Sequence, residues 1–437
     1  MKTILYPDRG DWESLCTRPE IMKSDLESVV SGIIEGVRKD RDEALLYYSS
    51  KFDGVKLNSI TVSPDEITNG ISQIPEDLKK AINTARLNIE KFHSAQLLDE
   101  ASVETSNGVK CWRKSVPVEK VGLYIPGGSA PLFSTVLMLG IPAKIAGCRE
   151  IILCTPPDKN GNVNPVILFT ANLTGITRIF KTGGAQAIAA MAYGTESIPA
   201  VYKIFGPGNQ YVTKAKELIQ QDGIPIDMPA GPSEVLVIAD KTANPEFVAA
   251  DLLSQAEHGA DSQVVMVTDS ADLPGKVNIE IEKQLDVLPR KAIATKALEN
   301  SMMVVLKSTE ECMSFSNTYA PEHLIINTAN YLMLAEKVIN AGSVFLGSFS
   351  CESAGDYASG TNHTLPTNGF ARNFSGVSVE SFQKKISFQE LSAEGIINLG
   401  PSIETMAEAE NLRAHRNAVS LRLKSIKNGL YRQSCQG

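Results

Sequence analysis

From about residue 115 the chain alternates short apolar runs with helical stretches, and that rhythm leaves few architectures open. A run at 121–125 precedes a helical stretch at 135–146 and a second run at 151–154. A run at 176–180 precedes a helix at 185–193 and a run at 201–205. Parallel strands need a crossover, usually a helix, so this spacing predicts βαβ units: a parallel sheet with helices on both faces. A second series starts at 234–239 and continues through a helix at 245–258 and runs at 263–268, 303–306, 324–326 and 344–346. The expected fold is therefore α/β with two units. Glycine and proline punctuate the strand ends at Pro126-Gly127-Gly128, Gly183-Gly184 and Gly206-Pro207-Gly208. In open parallel sheets ligands bind beyond the carboxyl ends of the strands, which makes these turns the expected crevices.

The first hundred residues read as helix. Ser24 with Glu27 matches a capping box, and Val29, Val30, Ile33, Ile34 and Val37 recur at helical spacing. A second helix starts near Pro75 and runs through Leu78, Ile82, Leu87 and Ile89. Past Phe374 the rhythm weakens, and a helix at 403–424 closes the chain. At 437 residues two or three domains are expected. A net charge of -8 argues against a nucleic-acid or anionic-membrane partner, which would need clustered Lys and Arg. No run of apolar residues is long enough to span a bilayer, and Asp8 and Asp11 interrupt the N-terminus before any signal-like run. The cysteines at 16, 111, 148, 154, 312, 351 and 435 form no CxxC pair, and such scattered thiols suit a reducing cytoplasm.

Only five histidines are available for proton or metal chemistry. His93, in the helical N-terminal region, reads as a surface or half-buried helix residue. Gln255 and His258 lie three apart in SQAEHG, on one helix face, where two neutral donors could grip one metal ion. His258 could equally cap the helix before Gly259. Because Ser262 follows four residues after His258, the HExxH of zinc proteases is absent. Glu322-His323 in YAPEHL stands at a strand start, where an acid and an imidazole could move protons. Asp356 and His363 fall in ESAGDYASGTNHTLPT, whose Gly, Ser and Thr content predicts a loop. Glu410 and His415 lie on the last helix, where Arg413 and Arg416 also permit a solvated face. There is no GxGxxG, so the turns alone do not identify a dinucleotide site.

Taken together, VGLYIPGG, TGGAQAIAAMAYGTE, KIFGPGNQYVTKAK, DMPAGPSEVLVIAD, DLLSQAEHG, YAPEHL, GDYASGTNHTLPT and AENLRAHRNAV resemble the histidinol dehydrogenases, over about residues 116–419. The resemblance implies one zinc ion per subunit bound by Gln255, His258, Asp356 and His415. It implies Glu322 and His323 as the catalytic acid/base pair, and NAD contacts from Tyr124, Gln186 and Asn209. It implies that L-histidinol is held by Ser233, Gln255, His258, His323, Asp356, His363, Glu410 and His415. It further implies two incomplete Rossmann-like parallel-sheet domains plus a helical C-terminal tail. The expected parts are an N-terminal arm at 1–19, a metal and substrate domain at 20–118 and 237–375, an NAD-binding domain at 119–236, and a dimerisation tail at 376–437. The tail would reach into the partner's site in a homodimer. Cys351 departs from the family, which more often has proline there, and could loosen the loop carrying Asp356.

The activity so implied is NAD-dependent oxidation of L-histidinol through L-histidinaldehyde to L-histidine, the last step of histidine biosynthesis. A zinc hydrolase would need the same metal, Glu and His but no nicotinamide. A non-catalytic metal-binding protein would bind zinc without turnover. A thiol-dependent aldehyde dehydrogenase is disfavoured because no cysteine neighbours Glu322-His323.

Overall fold

The segment Glu234–Ala239 shows how the strands are specified: its sequence is EVLVIA and all six residues are buried. A parallel strand covered on both faces has no polar side to alternate with, so it reads as one apolar run. The protein's structure is a computed structural model and describes residues 1–18, 25–97, 100–127, 131–176, 178–229 and 231–429. Ser24 of the expected capping box, Gly128 and Cys435 lie outside the described residues.

Among the described residues the strands are, in chain order, β1 (Lys2–Leu5), β2 (Val103–Ser106), β3 (Val109–Pro117), β4 (Lys120–Tyr124), β5 (Glu150–Thr155), β6 (Arg178–Lys181), β7 (Lys203–Phe205), β8 (Glu234–Ala239), β9 (Gln263–Thr268), β10 (Met302–Val305), β11 (His323–Asn327), β12 (Ser343–Leu346) and β13 (Gln383–Leu391). Two sheets are wholly parallel, with orders β6-β5-β4-β7 and β1-β10-β9-β8-β11-β12. Counted from β4 and from β8, both follow the Rossmann order third-second-first-fourth, and the second adds a fifth strand and β1. In each, the order reverses beside the first strand, between β4 and β7 and between β8 and β11.

The chain forms two compact units, residues 1–96 with 118–382, and residues 97–117 with 383–437. The first holds both parallel sheets. Its N-terminal residues are more than an arm, since Lys2–Leu5 pair with Met302–Val305 at the sheet edge. The sequence grouping placed 20–118 with 237–375, but the helices of this stretch pack on the four-stranded layer instead. Val30, Ile33, Ile34 and Val37 join a core with Tyr124, Phe180 and the helix Gly184–Tyr193, while Ile82, Ala85 and Ile89 pack on Leu137, Met138 and Ile141.

The second unit pairs β13 with β3 antiparallel along their full length, and β2 with β3 through the Asn107-Gly108 turn. Its helices Ala393–Ala409 and Arg413–Lys427 replace the single final helix expected at 403–424. Asn411 sits in the left-handed region at φ 59° and ends the first helix. No helix among the described residues is long and apolar enough to cross a membrane.

Candidate active site

Six of the sequence-predicted residues, Gln255, His258, Glu322, His323, Asp356 and His363, meet at the amino ends of β8 and β11. Ser233 leads into β8, which opens with Glu234, and Glu322 leads into β11, which opens with His323. Gln255 comes from the last turn of the helix Pro245–Ala256, whose return path brings its C-terminus back to this edge. Asp356 was expected on a loop but lies on a short helix, Glu352–Tyr357, with Cys351 as its N-cap. The carboxyl-end rule therefore fails for this sheet. At the opposite edge Asp240 accepts from the backbone N–H groups of Thr242 and Ala329, both at 2.8 Å, which ties the turn after β8 to the turn after β11.

The Glu322 and His323 side chains are held by the backbone of Glu234. Its N–H donates to Glu322 Oε2 at 2.8 Å. Its carbonyl lies 3.1 Å from His323 Nδ1, and since a carbonyl only accepts, the proton is on Nδ1. That leaves His323 Nε2 as the nitrogen that gains and loses the titrating proton. It is buried, has no hydrogen-bond partner, and stands 3.4 Å from Asp356 Oδ1. Burial alone would lower the His323 pKa, but Glu322, Glu352 and Asp356 outweigh it and hold the pKa well above the usual imidazole value. Burial raises the Glu322 pKa, opposed by His323.

His258, Glu352 and Asp356 present ligand atoms all within 4.8 Å of one another. Gln255 completes the group. With its Nε2 inward it donates to Glu234 O and Glu322 Oε2, both at 3.3 Å, and its Oε1 then faces the Glu352 carboxylate. An acceptor facing an acceptor is unfavourable unless a cation or a proton lies between them. Turned over, the amide donates to Glu352 Oε1 at 2.5 Å and accepts from Glu234 N–H at 3.1 Å. Glu352 Oε2 and Asp356 Oδ1 are also buried without hydrogen-bond partners. Burial pushes the Glu352 carboxyl up to about 8, whereas for Asp356 the neighbouring His323, His363 and His258 overcome burial and lower it. Buried carboxylates with unpaired oxygens, a histidine and an amide oxygen form a donor set that fits a divalent cation such as zinc.

His363 closes one side, with Nδ1 at 2.9 Å from Asp356 O and Nε2 at 3.2 Å from Thr135 Oγ1 on the helix Phe133–Ala146. His93, expected at a surface or half-buried, is fully buried and bonds Ile89 O through Nδ1 at 2.9 Å. At the carboxyl ends of β4 and β7, Tyr124, Gln186 and Asn209 line one cavity of about 890 Å³ together with Asp53, Gly127 and Gly184. Gly184 N–H donates to Tyr124 Oη at 3.1 Å, and Asn209 Oδ1 caps the helix Gln210–Gln221. Burial raises the Asp53 carboxyl to about 6. The second unit carries Glu410 and His415, both exposed.

A sequence model of the family described as histidinol dehydrogenase matches residues 16–423. A Bacteroides thetaiotaomicron protein named histidinol dehydrogenase is 59% identical over 427 residues, which cover 98% of this chain and 100% of the relative. The chain belongs to the histidinol dehydrogenase family. A Salmonella typhimurium histidinol dehydrogenase is 52% identical over 95% of this chain and 98% of its own length. The crystal structure of histidinol dehydrogenase from Elizabethkingia anophelis is similar at a TM-score of 0.96 and 58% identity, covering 98% of this chain and 99% of that one. The chain is thus an oxidoreductase, of a family that catalyses the last step of histidine biosynthesis with zinc and NAD.

Sequence reasoning missed three residues at this candidate site. Glu352 lies one helical turn before Asp356, and that spacing of four was its only signal. Glu234 is an acid heading an apolar run, a sign of a buried carboxylate. Arg18, which bonds Glu234, gave no signal at all. Among the described cysteines, burial raises Cys16 to about 11 and Cys148 to about 12, and raises Cys154 and Cys312 as well, so these four are poor nucleophiles.

Proposed function

We propose that this chain oxidises L-histidinol to L-histidine through L-histidinaldehyde, consuming two NAD. The observation that carries the reading is the buried Glu322–His323 pair with His323 Nε2 unpartnered beside the Gln255, His258, Glu352 and Asp356 cluster. Gln255, His258 and Asp356 would hold zinc, with His415 of the partner subunit as the fourth donor in a homodimer. When bound, zinc supplies Lewis acidity and a fixed point for the amine and imidazole nitrogens of the substrate. NAD, when bound, would supply the hydride acceptor for each oxidation.

The chain's own residues then have distinct work. His323 takes the hydroxyl proton at Nε2 while Glu234 O keeps Nδ1 protonated and the ring fixed. A cation among the surrounding carboxylates would offset the field that raises the His323 pKa, returning the imidazole to use as a base. Glu322 takes a proton from the water that adds to the aldehyde, so that the hydrate can lose the second hydride. Ser233 and His363 border the substrate, and Glu410 of the partner subunit would complete its binding. Tyr124, Gln186 and Asn209 line the NAD cavity, where the positive dipole ends of the helices Gly184–Tyr193 and Gln210–Gln221 suit a pyrophosphate. On this reading 119–236 is the cofactor layer, 237–375 carries metal and substrate, and 376–437 serves dimerisation. The expected compartment is the cytoplasm.

The test is absorbance of NADH on adding histidinol and NAD, before and after chelation. Activity should vanish on verified metal removal and return with zinc. Full activity in a metal-free sample would sink the metal assignment, and zinc binding without NADH formation would favour a non-catalytic protein.

A further inference from the structure

We propose that Arg18 is a positioning residue for the Glu322–His323 pair, acting through Glu234; this rests on the reading of that pair given above. The backbone of Glu234 is the clamp on both side chains, through N–H to Glu322 Oε2 at 2.8 Å and C=O to His323 Nδ1 at 3.1 Å. The same carbonyl accepts from Gln255 Nε2 at 3.3 Å. A clamp made of one residue's backbone holds its register only if that residue cannot shift or twist. Its side chain is therefore the natural place to fix it.

Arg18 does so with a two-point fork. Its Nε and Nη2 donate to the two Glu234 carboxylate oxygens at 2.9 and 2.8 Å. Asn368 N–H donates to Glu234 Oε1 at 2.8 Å from a third direction. A bidentate guanidinium–carboxylate pair fixes orientation as well as distance, which a single-point cation does not. The pair is secluded, with side-chain exposures of 10% and 2%. The guanidinium itself is held. It lies over the Tyr319 ring, 3.5 Å from the centroid, and its Nη1 donates to Cys16 O at 2.9 Å. Tyr319 is anchored in turn, donating its hydroxyl to Gln263 Oε1 at 2.7 Å.

Arg18 also reaches the approach to the other strand. Its Nη2 is 3.5 Å from the carbonyl of Ala320, two residues before Glu322. Ala320 has φ 55°, a left-handed conformation that a residue with a Cβ adopts at a cost. Such strain persists where the surroundings over-determine it, and it clusters beside functional groups. One guanidinium thus touches the first residue of β8 and the lead-in of β11. Its charge matters too, because it neutralises the Glu234 carboxylate next to a second buried carboxylate, Glu322.

The experiment compares Arg18→Ala, Arg18→Lys and Glu234→Gln with His323→Asn, all as zinc-loaded full-length protein. It reads kcat, the KM for histidinol, zinc affinity by chelator competition, and rescue by added guanidinium ion. Arg18→Ala should lose kcat by about 10–100-fold, the scale of a misplaced catalytic group, while KM and zinc affinity stay within about threefold. Arg18→Lys should recover only part of the loss. Guanidinium should restore turnover to Arg18→Ala and not to His323→Asn. If Arg18→Ala fails to fold, Glu234→Gln keeps the shape, removes the charge, and should show the same split. Near-normal kcat in the foldable variants, with His323→Asn inactive, overturns the inference alone. So does a joint loss of kcat, KM and zinc affinity without rescue, which marks a purely structural residue. Full turnover in His323→Asn would instead overturn the reading of the pair, and this inference with it.

Discussion

Glu322 and His323 are neighbours in sequence, yet Glu234 holds them by different backbone atoms and leaves different atoms free. Glu322 Oε2 is tied to an N–H, and His323 keeps Nε2 unpartnered. Their tasks should separate accordingly. Glu322→Gln keeps the shape but cannot take a proton from water, so aldehyde oxidation should fall by about 10²–10⁴-fold, the usual loss for a general base. Alcohol oxidation should fall less. His323→Asn should damage the alcohol step at least as much as the aldehyde step. Measuring each half-reaction from its own substrate checks this, and a Glu322→Gln variant slow only with histidinol would refute the division. At this scale the sequence was partly legible. Gln255 and His258 stood out by a spacing of three, but the helix expected to run to 258 ends at Ala256 and His258 lies in the turn beyond it. Glu234 and Glu352 did not, because an acid at the start of a strand or helix looks the same in sequence whether it caps, faces water or turns inward.

Elements differ in how far their own residues determine them. The strands β4 to β11 were readable because burial on both faces leaves nearly uninterrupted apolar runs, and the edge strand β12 was readable from its apolar sequence alone. The strands β2, β3 and β13 were not. Their sequences, VETS, KCWRKSVP after Val109, and QKKISFQEL, are largely polar, with β2 and β13 mostly exposed and β3 half-buried, and it is pairing with one another that makes them strands. The glycine punctuation was readable in position but not in cause. At Gly206 the cause is now specific: φ is 129°, and an added Cβ would lie 2.0 Å from Tyr124 O. Gly206 O also accepts from the buried Lys216 Nζ at 2.9 Å, and Gly206 N–H donates to Asp227 Oδ2 at 2.8 Å, so the turn cannot yield. Gly206→Ala should cost about 2–4 kcal/mol of stability from combined strain and overlap, and should raise the KM for NAD by disturbing Tyr124 and the turn leading to Asn209. Thermal unfolding together with NAD kinetics checks this. Wild-type values for both would mean that the turn is neither tight nor part of the cofactor site.

For the whole molecule, the decisive question is which chain supplies Glu410 and His415. In the two-fold dimer proposed here, each site takes His415 from the partner. Glu322→Gln and His415→Ala should each be nearly inactive alone. In a mixed dimer one site collects both defects and the other collects neither. Random re-pairing makes about half the dimers mixed, so joint refolding should restore roughly a quarter of wild-type activity. No recovery in a mixed dimer confirmed by two tags would mean that each chain serves its own site.

The central claim is that one site runs both oxidations, with Glu322 and His323 dividing the proton work. Its most direct test is stoichiometry with limiting histidinol and excess NAD on zinc-loaded protein. Two NADH and one histidine are expected for each histidinol consumed, with no free aldehyde accumulating. One NADH per histidinol, with histidinaldehyde as the end product, would contradict it.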